Sequence, residues 1–367
     1  MNSQHFLQRR GQYQRVGVWR ALVLVWVVVA WAQPSLAQRL IWLGTLGGDE
    51  SEARSVSADG SVVVGSARNA AGQGRAFRWT EAGGMQDLGT LGGDWSEARG
   101  VSANGSVVVG TARDAAGQGR AFRWTEAGGM QDLGTLGGVK SAAYGVSADG
   151  SVVVGRASNA TGKWRAFRWT AARGMQDLGT LGGVESEAYG VSANCSFVVG
   201  TARDAAGVWR AIRSTAAGRM QKLGTQDVNS SFANGVSANG SVVVGMAENA
   251  AGQLSAFRWT ATGGMQDLGT LPGGSGSQAC GVSADGSVVV GYAWKVAGQI
   301  QHSAFRWTAA GGMEDLNFTY ANLLTDGSEL LEARAISPDG RYIAGKGRNA
   351  TTGREEAFLL DTRRTWR

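Results

Sequence analysis

Cysteine and histidine are scarce in this sequence. Its 367 residues include only two of each. Cys195 and Cys280 stand at different positions of the internal repeat described below. Since a disulfide needs Cα atoms within about 7 Å, we expect two free thiols. His5 lies close to the N-terminus, so His302 has no second imidazole nearby in sequence to build a histidine metal centre. We therefore expect neither a metal nor another cofactor.

Charge of one sign and long apolar runs are also scarce once the start of the chain is set aside. Residues 1–37 resemble a secretory signal peptide, with four Arg before a 12-residue apolar core at Ala21–Ala32 and small residues before an expected cleavage at Gln38. The 31 basic residues that remain (35 minus four) face 29 acidic ones, which gives no reason to expect nucleic acid binding. We predict an exported, extracellular or periplasmic monomer, residues 38–367, without a membrane span.

Internal repetition dominates the rest of the sequence, which is rich in Gly (58) and poor in Pro (3). A hexad of the type "GVSADG" occurs seven times, at successive intervals of 45, 45, 45, 45, 46 and 54 residues. The hexads end at Gly60, Gly105, Gly150, Cys195, Gly240, Gly286 and Gly340. A second marker, "RAFRWT", also occurs seven times, with its central apolar residue at Phe77, Phe122, Phe167, Ile212, Phe257, Phe305 and Phe358.

Each repeat contains four short apolar runs separated by turn residues. Asp-Gly or Asn-Gly follows the first run, and these dipeptides favour tight hairpins. The second run, such as Val62–Val64, is apolar on both faces, as expected of a strand buried between neighbouring sheets. Four strands in about 45 residues are typical of a propeller blade. We therefore predict an all-β fold, a seven-bladed β-propeller of four-stranded blades that forms a single domain.

The two ends of the repeat region are complementary. The seventh copy ends after its third run, around Phe358, without a "GMQDLG" segment. The N-terminal residues 40–44 match the end of that segment and have no repeat before them. We predict that residues 40–44 complete the last blade as its fourth strand and so close the ring without an open sheet edge.

The combination "GVSADGSVVVG…RAFRWT…GMQDLGTLGG" resembles the HAF extracellular repeat, which is named for a His-Ala-Phe triplet and found in exported bacterial proteins. The resemblance covers about residues 40–361 and implies export and a repeat fold. It implies no activity, and the triplet's His is replaced throughout. Its position holds Arg75, Arg120, Arg165, Arg210, Ser255, Ser303 and Glu356.

A position two residues before the Val of the first run varies between copies, whereas its surroundings are constant. In a propeller this position lies near the mouth of the central channel, where Arg and Tyr could bind an anion or a sugar acid. The variable residues are Arg54, Arg99, Tyr144, Tyr189, Asn234, Cys280 and Arg334. Glutamates two residues earlier, such as Glu52 and Glu97, offer the alternative that the arginines are simply neutralised.

Four tryptophans depart from the small-residue consensus of the loops that we expect on the same face. They are Trp95, Trp164, Trp209 and Trp294. Exposed Trp commonly binds sugar rings or partner surfaces, and the alternative is packing between neighbouring loops.

The sequence favours a binding module over an enzyme. It has no phosphate-binding loop, no zinc-ligand spacing and no nucleophile elbow near His302. We predict a secreted, non-catalytic propeller that binds a glycan, an envelope component or a protein through the channel-mouth face. A carbohydrate-active hydrolase or lyase is the alternative, because a channel could bring two carboxylates together.

Overall fold

The computed structural model describes residues 38–215, 218–224, 230–249, 252–297 and 299–363. The predicted signal peptide, residues 1–37, lies outside the described residues. Within the described part, twenty-eight strands form seven four-stranded antiparallel blades. The prediction of a seven-bladed β-propeller is confirmed.

The strands follow the repeat closely. Blade 1 contains β2 (Gly47–Val56), β3 (Val62–Asn69), β4 (Gly74–Thr80) and β5 (Gly84–Asp87). Blade 2 contains β6 (Gly92–Val101), β7 (Val108–Asp114), β8 (Gly119–Thr125) and β9 (Gly129–Asp132). Blade 3 contains β10 (Gly137–Val146), β11 (Val153–Asn159), β12 (Trp164–Thr170) and β13 (Gly174–Asp177). Blade 4 contains β14 (Gly182–Val191), β15 (Phe197–Asp204), β16 (Trp209–Thr215) and β17 (Met220–Lys222).

The later blades have the same order, and the last one draws on both ends of the chain. Blade 5 contains β18 (Ser231–Val236), β19 (Val242–Glu248), β20 (Leu254–Thr260) and β21 (Gly264–Asp267). Blade 6 contains β22 (Gly276–Val282), β23 (Val288–Ala297), β24 (Gln299–Thr308) and β25 (Gly312–Asp315). Blade 7 contains β26 (Glu329–Ile336), β27 (Tyr342–Asn349), β28 (Arg354–Asp361) and the N-terminal β1 (Arg39–Trp42).

The N-terminal strand closes the ring. β1 pairs antiparallel with β28, from Arg39 opposite Asp361 to Trp42 opposite Phe358. The backbone N–H of Leu43 also donates to the carbonyl oxygen of Ala357 at 2.9 Å. The closing strand therefore runs from residue 39 to residue 42, close to the predicted 40–44, and covers the outer edge of blade 7.

Hydrophobic cores lie between neighbouring blades. Phe77 and Trp79 of β4, for example, are buried in one cluster with Ala344 and Leu359 of blade 7. The second strand approaches the first so closely that a Cβ on Gly65 would lie 1.9 Å from the carbonyl oxygen of Glu52. Glycine is therefore required at the end of the "VVVG" run, and the equivalent glycines of other blades are equally crowded.

The insertion after β25 contains a short helix, α1 (Leu316–Thr319), and a 3-10 turn at Ala321–Leu323. No helix in the described part of the chain combines the length and apolar character needed to cross a membrane. Both cysteines are free thiols, as predicted.

Candidate functional site

Every variable residue of the first strand lies in a β-bulge. In blade 1 the register with β3 shifts between Ala53 and Ser55, which leaves Arg54 as the extra residue. The same shift occurs around Arg99 in blade 2 and around Tyr144 in blade 3. A bulge redirects a side chain out of the regular pleat. The constant residues on either side keep the strand in place, so this one position can vary in chemistry.

The seven bulge residues converge as predicted. Arg54, Arg99, Tyr144, Asn234, Cys280 and Arg334 line one cavity of about 350 Å³ at the mouth of the channel, together with Tyr189. We call this the channel mouth. Beyond it the first strands place Val56 and its equivalents around the axis, and the opposite end of the channel is lined by valines and alanines such as Ala58.

The arginines of blades 7, 1 and 2 are paired with glutamates. Arg54 contacts Glu52 at 3.0 Å, and Arg334 reaches the same carboxylate from the neighbouring blade at 2.9 Å. Arg334 also pairs with Glu332 of its own strand at 2.5 Å, and Arg99 pairs with Glu97. Burial by itself lowers the pKa of Arg334, but Cys280, Glu52 and Glu332 together raise it above its usual value. The structure therefore agrees with the alternative that glutamates neutralise these arginines.

An aromatic pair occupies the mouth at blades 3 and 4. The rings of Tyr144 and Tyr189 stack with 5.4 Å between centroids, and the guanidinium of Arg99 lies 4.9 Å from the ring of Tyr144. The Tyr189 hydroxyl donates to Glu187 at 2.9 Å, and Arg156 pairs with the same carboxylate at 2.7 Å. Blades 3 and 4 thus present stacked rings where blades 7 and 1 present ion pairs.

The two phenols and the thiol among the bulge residues stay protonated at neutral pH. Burial raises the pKa of Tyr144 to about 12. Burial and the neighbouring Glu187 raise the pKa of Tyr189 further. Burial also raises the pKa of the Cys280 thiol to about 11. These phenols and the thiol can donate or accept hydrogen bonds, and their burial disfavours the anionic forms.

Several residues at the mouth escaped sequence reasoning. Phe232 and Gln278 stand where other blades have the glutamate of Glu52, and Met246 and Arg156 stand opposite that position on the second strand. Phe232, Gln278 and Met246 line the cavity. These two further repeat positions also vary between copies, and that variation is the feature of the sequence that could have identified them.

The four tryptophans lie on strands, not in loops, and away from the channel mouth. The ring nitrogen of Trp95 lies against Gly74 of blade 1, in a groove between blades 1 and 2. Trp164 and Trp209 lie beneath the guanidinium groups of Arg156 and Arg203, at 4.3 and 4.7 Å. Trp294 lines a separate cleft between blades 6 and 7. All four are half-buried. Because Trp164 and Trp209 also pack against arginine side chains, the alternative of a packing role describes these two well.

The position that replaces the His of the HAF triplet serves blade structure. Arg120 pairs with Asp132 of the adjacent fourth strand at 2.9 Å, and Arg165 pairs with Asp177 at 3.1 Å. In blade 6 Ser303 donates to Asp315 at 2.9 Å instead.

The charge of the mouth is balanced, and this limits its chemistry. Each of the glutamates Glu52, Glu97, Glu187 and Glu332 has at least one cationic partner. General acid–base catalysis on a sugar needs a carboxyl group that can exchange its proton with the substrate. The mouth residues described here supply paired carboxylates, aromatic faces and hydrogen-bonding groups. Nowhere in the described chain do three or more His, Cys, Asp or Glu side chains cluster in a way that could hold a metal ion.

Comparison with solved structures supports the fold class, a β-propeller. No family model and no curated protein matches the chain. Among solved structures, the oligogalacturonate lyase of Vibrio parahaemolyticus is similar with a TM-score of 0.57 at 9% identity, over 91% of this chain and 96% of that one. The β-propeller domain of the Trilobed protease from Pyrococcus furiosus has a TM-score of 0.55 at 10% identity, over 84% and 94%.

A third similar structure is TolB from Acinetobacter baumannii, with a TM-score of 0.51 at 12% identity. The match covers 70% of this chain, which spans only 63% of that TolB. At these identities the likeness shows the fold alone.

Proposed function

We propose that this chain is an exported, non-catalytic binding module whose channel mouth takes a sugar ring of a glycan, free or within a cell envelope. The observation that carries the proposal is the convergence of the seven bulge residues on one cavity of about 350 Å³. Pockets of about 300–1,000 Å³ are the usual size for small ligands. The resemblance to the HAF extracellular repeat and the signal-like residues 1–37 support export.

Neutral hydrogen bonding and aromatic contact, rather than net charge, would provide the affinity. Stacked Tyr144 and Tyr189 present an apolar face with polar edges, which suits a sugar ring. Because the arginines form ion pairs with glutamates, we expect the affinity for the glycan to change little between low and moderate salt. This departs from the anion or sugar-acid ligand that the arginines alone suggested.

The test is a screen of the purified protein on arrayed polysaccharides and on isolated cell envelopes, repeated with the double variant Arg99→Ala/Tyr189→Ala. This variant keeps the ion pair between Arg156 of blade 3 and Glu187 of blade 4, and its melting temperature is measured alongside to check that it folds. We expect at least tenfold weaker binding, about 1.4 kcal/mol. Arg113→Ala is the matched control, since Arg113 pairs with Asp94 on the exposed rim at 3.1 Å. Unchanged binding by the double variant, or binding confined to envelope proteins, would contradict the proposal.

A carbohydrate-active hydrolase or lyase is the second candidate. In its favour, a propeller of similar fold is an oligogalacturonate lyase, although that likeness carries no activity with it. Against it, the carboxylates of the mouth are paired and its phenols have a raised pKa. Incubation with oligogalacturonate should release no unsaturated product. Turnover that Tyr189→Phe abolishes would replace the binding proposal with the enzyme.

A further inference from the structure

The insertions that lengthen the last repeats converge on one cleft. One adds Pro272 to the connection between β21 and β22, a second extends the β23–β24 hairpin to strands of 10 residues, and a third is the helical segment after β25. All three border a cleft of about 1050 Å³ between blades 6 and 7. We call it the blade 6–7 cleft. The cavity at the channel mouth is about 350 Å³. Local departures from a repeat at a single place point to a role that the other blades do not share.

The blade 6–7 cleft contains the one histidine of the described residues, held in a fixed orientation. His302 Nδ1 lies 2.6 Å from Glu332 Oε1. A carboxylate only accepts hydrogen bonds, so Nδ1 carries a proton, and in the neutral imidazole Nε2 is the acceptor. The imidazole also packs on Tyr292, with 4.9 Å between ring centroids. Its side chain is 32% exposed, which leaves the ring accessible from the cleft.

An aromatic face lies beside the histidine. Trp294 lines the cleft directly opposite His302 in the β23–β24 pairing. Its ring lies 6.0 Å from that of Tyr292. The half-buried indole is fixed against Gly276, where a Cβ would approach it to 2.4 Å. A fixed aromatic ring with a hydrogen-bonding group next to it matches the apolar face and hydroxyl edge of a sugar.

Most charged groups of the cleft are paired, and their signs nearly balance: three cationic side chains face four carboxylates, namely Lys295, Lys346 and Arg348 against Asp315, Glu329, Glu332 and Glu355. Lys346 pairs with Glu355, and Glu332 is shared by His302 and Arg334. Asp315 accepts hydrogen bonds from the Ser303 hydroxyl and the Asn317 backbone, both at 2.9 Å. This pairing leaves little net field to select a charged ligand, and the cleft offers both donors and acceptors. It lies between blades, so it provides no open sheet edge to which a peptide could add as a strand.

We propose that the blade 6–7 cleft is a second binding site, separate from the channel mouth, and that it takes an uncharged oligosaccharide. Trp294 would contact the face of one sugar ring, and His302 Nε2 would accept a hydrogen bond from a hydroxyl. The size of the cleft lies at the upper end of the usual range for small-ligand pockets, about 300–1,000 Å³, which gives room for more than one sugar ring. The site does not depend on the function proposed for the mouth.

Isothermal titration of the purified protein with cellohexaose, maltohexaose and chitohexaose tests the proposal, with hexagalacturonate as the acidic counterpart. We expect at least one neutral probe to bind in preference to hexagalacturonate. Trp294→Ala should weaken its binding at least tenfold, and His302→Phe, which keeps the ring but removes the acceptor, several-fold. Trp95→Ala, in the groove between blades 1 and 2, is the matched control and should bind normally. Repeating the titrations in the Arg99→Ala/Tyr189→Ala background removes the contribution of the channel mouth, and the binding that depends on Trp294 should persist there, which separates this site from the mouth.

Four results would overturn the proposal. One is that no neutral probe binds at millimolar concentration. Another is that hexagalacturonate binds more tightly than the neutral probes, and the third is that Trp294→Ala binds like the unmodified protein while its melting temperature is unchanged. If Trp294→Ala lowers the melting temperature, the test rests on His302→Phe, which leaves the aromatic packing on Tyr292 in place. Binding by His302→Phe that is as tight as that of the unmodified protein would then overturn the proposal. Displacement of the bound probe by an envelope-derived peptide pool would show that the cleft around Trp294 binds peptides. This result would equally refute an oligosaccharide as the ligand.

Discussion

At the scale of single residues, Cys195 is a strained position. Its φ is 59°, the one positive φ of a non-glycine residue in the described chain, whereas the equivalent Gly150 and Gly240 have φ of 73° and 76°. A side chain in this region costs about 1–2 kcal/mol. Cys195→Gly should therefore raise the free energy of unfolding by about 1 kcal/mol, measured by denaturant titration. Cys195→Ala keeps the strain and should give no gain. A loss of stability in Cys195→Gly would mean that packing of the thiol outweighs the strain.

The sequence could predict which residues reach the channel mouth but not how they pair. Arg54 and its equivalents could be identified because this one repeat position varies while the residues around it stay constant. The bulge and the ion pair between Arg334 and Glu52 of the next blade depend on backbone geometry. The partner of Asp87 is likewise set by the face of the strand, and it is Arg75, at 3.8 Å. Arg78 points to the other face of the strand and donates to the Gly105 carbonyl at 3.5 Å.

At the scale of elements, the first hairpin turn of each blade is built around an Asp or Asn side chain. Asp149 accepts hydrogen bonds from the Ser147 hydroxyl at 2.5 Å and the Ser151 backbone at 3.0 Å. These bonds hold the pKa of Asp149 at about 2. Bonds from Ser283 and Ser287 hold the pKa of Asp285 at about 2 as well.

These turns should contribute to acid sensitivity. The folded pKa lies below the unfolded value of about 3.9, so the contribution to stability is complete above that pH and is lost as pH falls from about 4 to about 2. Asp149→Asn/Asp285→Asn should flatten the fall in melting temperature over this range. The Asn turns of other blades show that the amide fits, since Asn104 accepts from Ser102 and Ser106 at 2.8 Å. An equally steep fall in the double variant would show that other carboxyls control acid unfolding.

The elements themselves were predictable to a large extent. Apolar runs separated by Asp-Gly or Asn-Gly turns predicted four strands in each repeat, and every blade has four. The blade 6–7 cleft could not be predicted, because its volume depends on how three separate insertions pack together. The sequence indicated only that the repeat interval lengthens there.

At the scale of the whole molecule, the junction between the last and first blades repeats the chemistry of the internal junctions. Ser51 Oγ accepts from the Ala357 backbone at 2.8 Å and donates to the Gly44 carbonyl at 2.5 Å. Ser96 makes the equivalent bonds between blades 1 and 2, at 2.9 and 2.6 Å. Counting repeats and spare strands was sufficient to predict this closure, because a ring of identical junctions leaves no other place for an unpaired strand.

Deletion of residues 38–44 tests how much stability the closure provides. It removes β1 and the buried Leu43 and exposes the edge of β28, next to the buried Leu359. Burial of an apolar side chain stabilises by about 1.5–3 kcal/mol, against a typical domain stability of about 5–15 kcal/mol. We expect a sharply lower melting temperature, together with aggregation through the open edge.

A rearranged chain separates edge coverage from ring closure. Moving residues 38–44 to follow Arg363 through a short linker restores the fourth strand of blade 7 but no longer ties the two chain ends together. Its melting temperature, measured by differential scanning calorimetry, should lie between those of the deletion variant and the unmodified protein. A melting temperature equal to that of the unmodified protein would show that covering the edge is sufficient. One equal to that of the deletion variant would show that the connection from β1 into β2 provides the stability, since that connection is the only covalent link between blade 7 and blade 1.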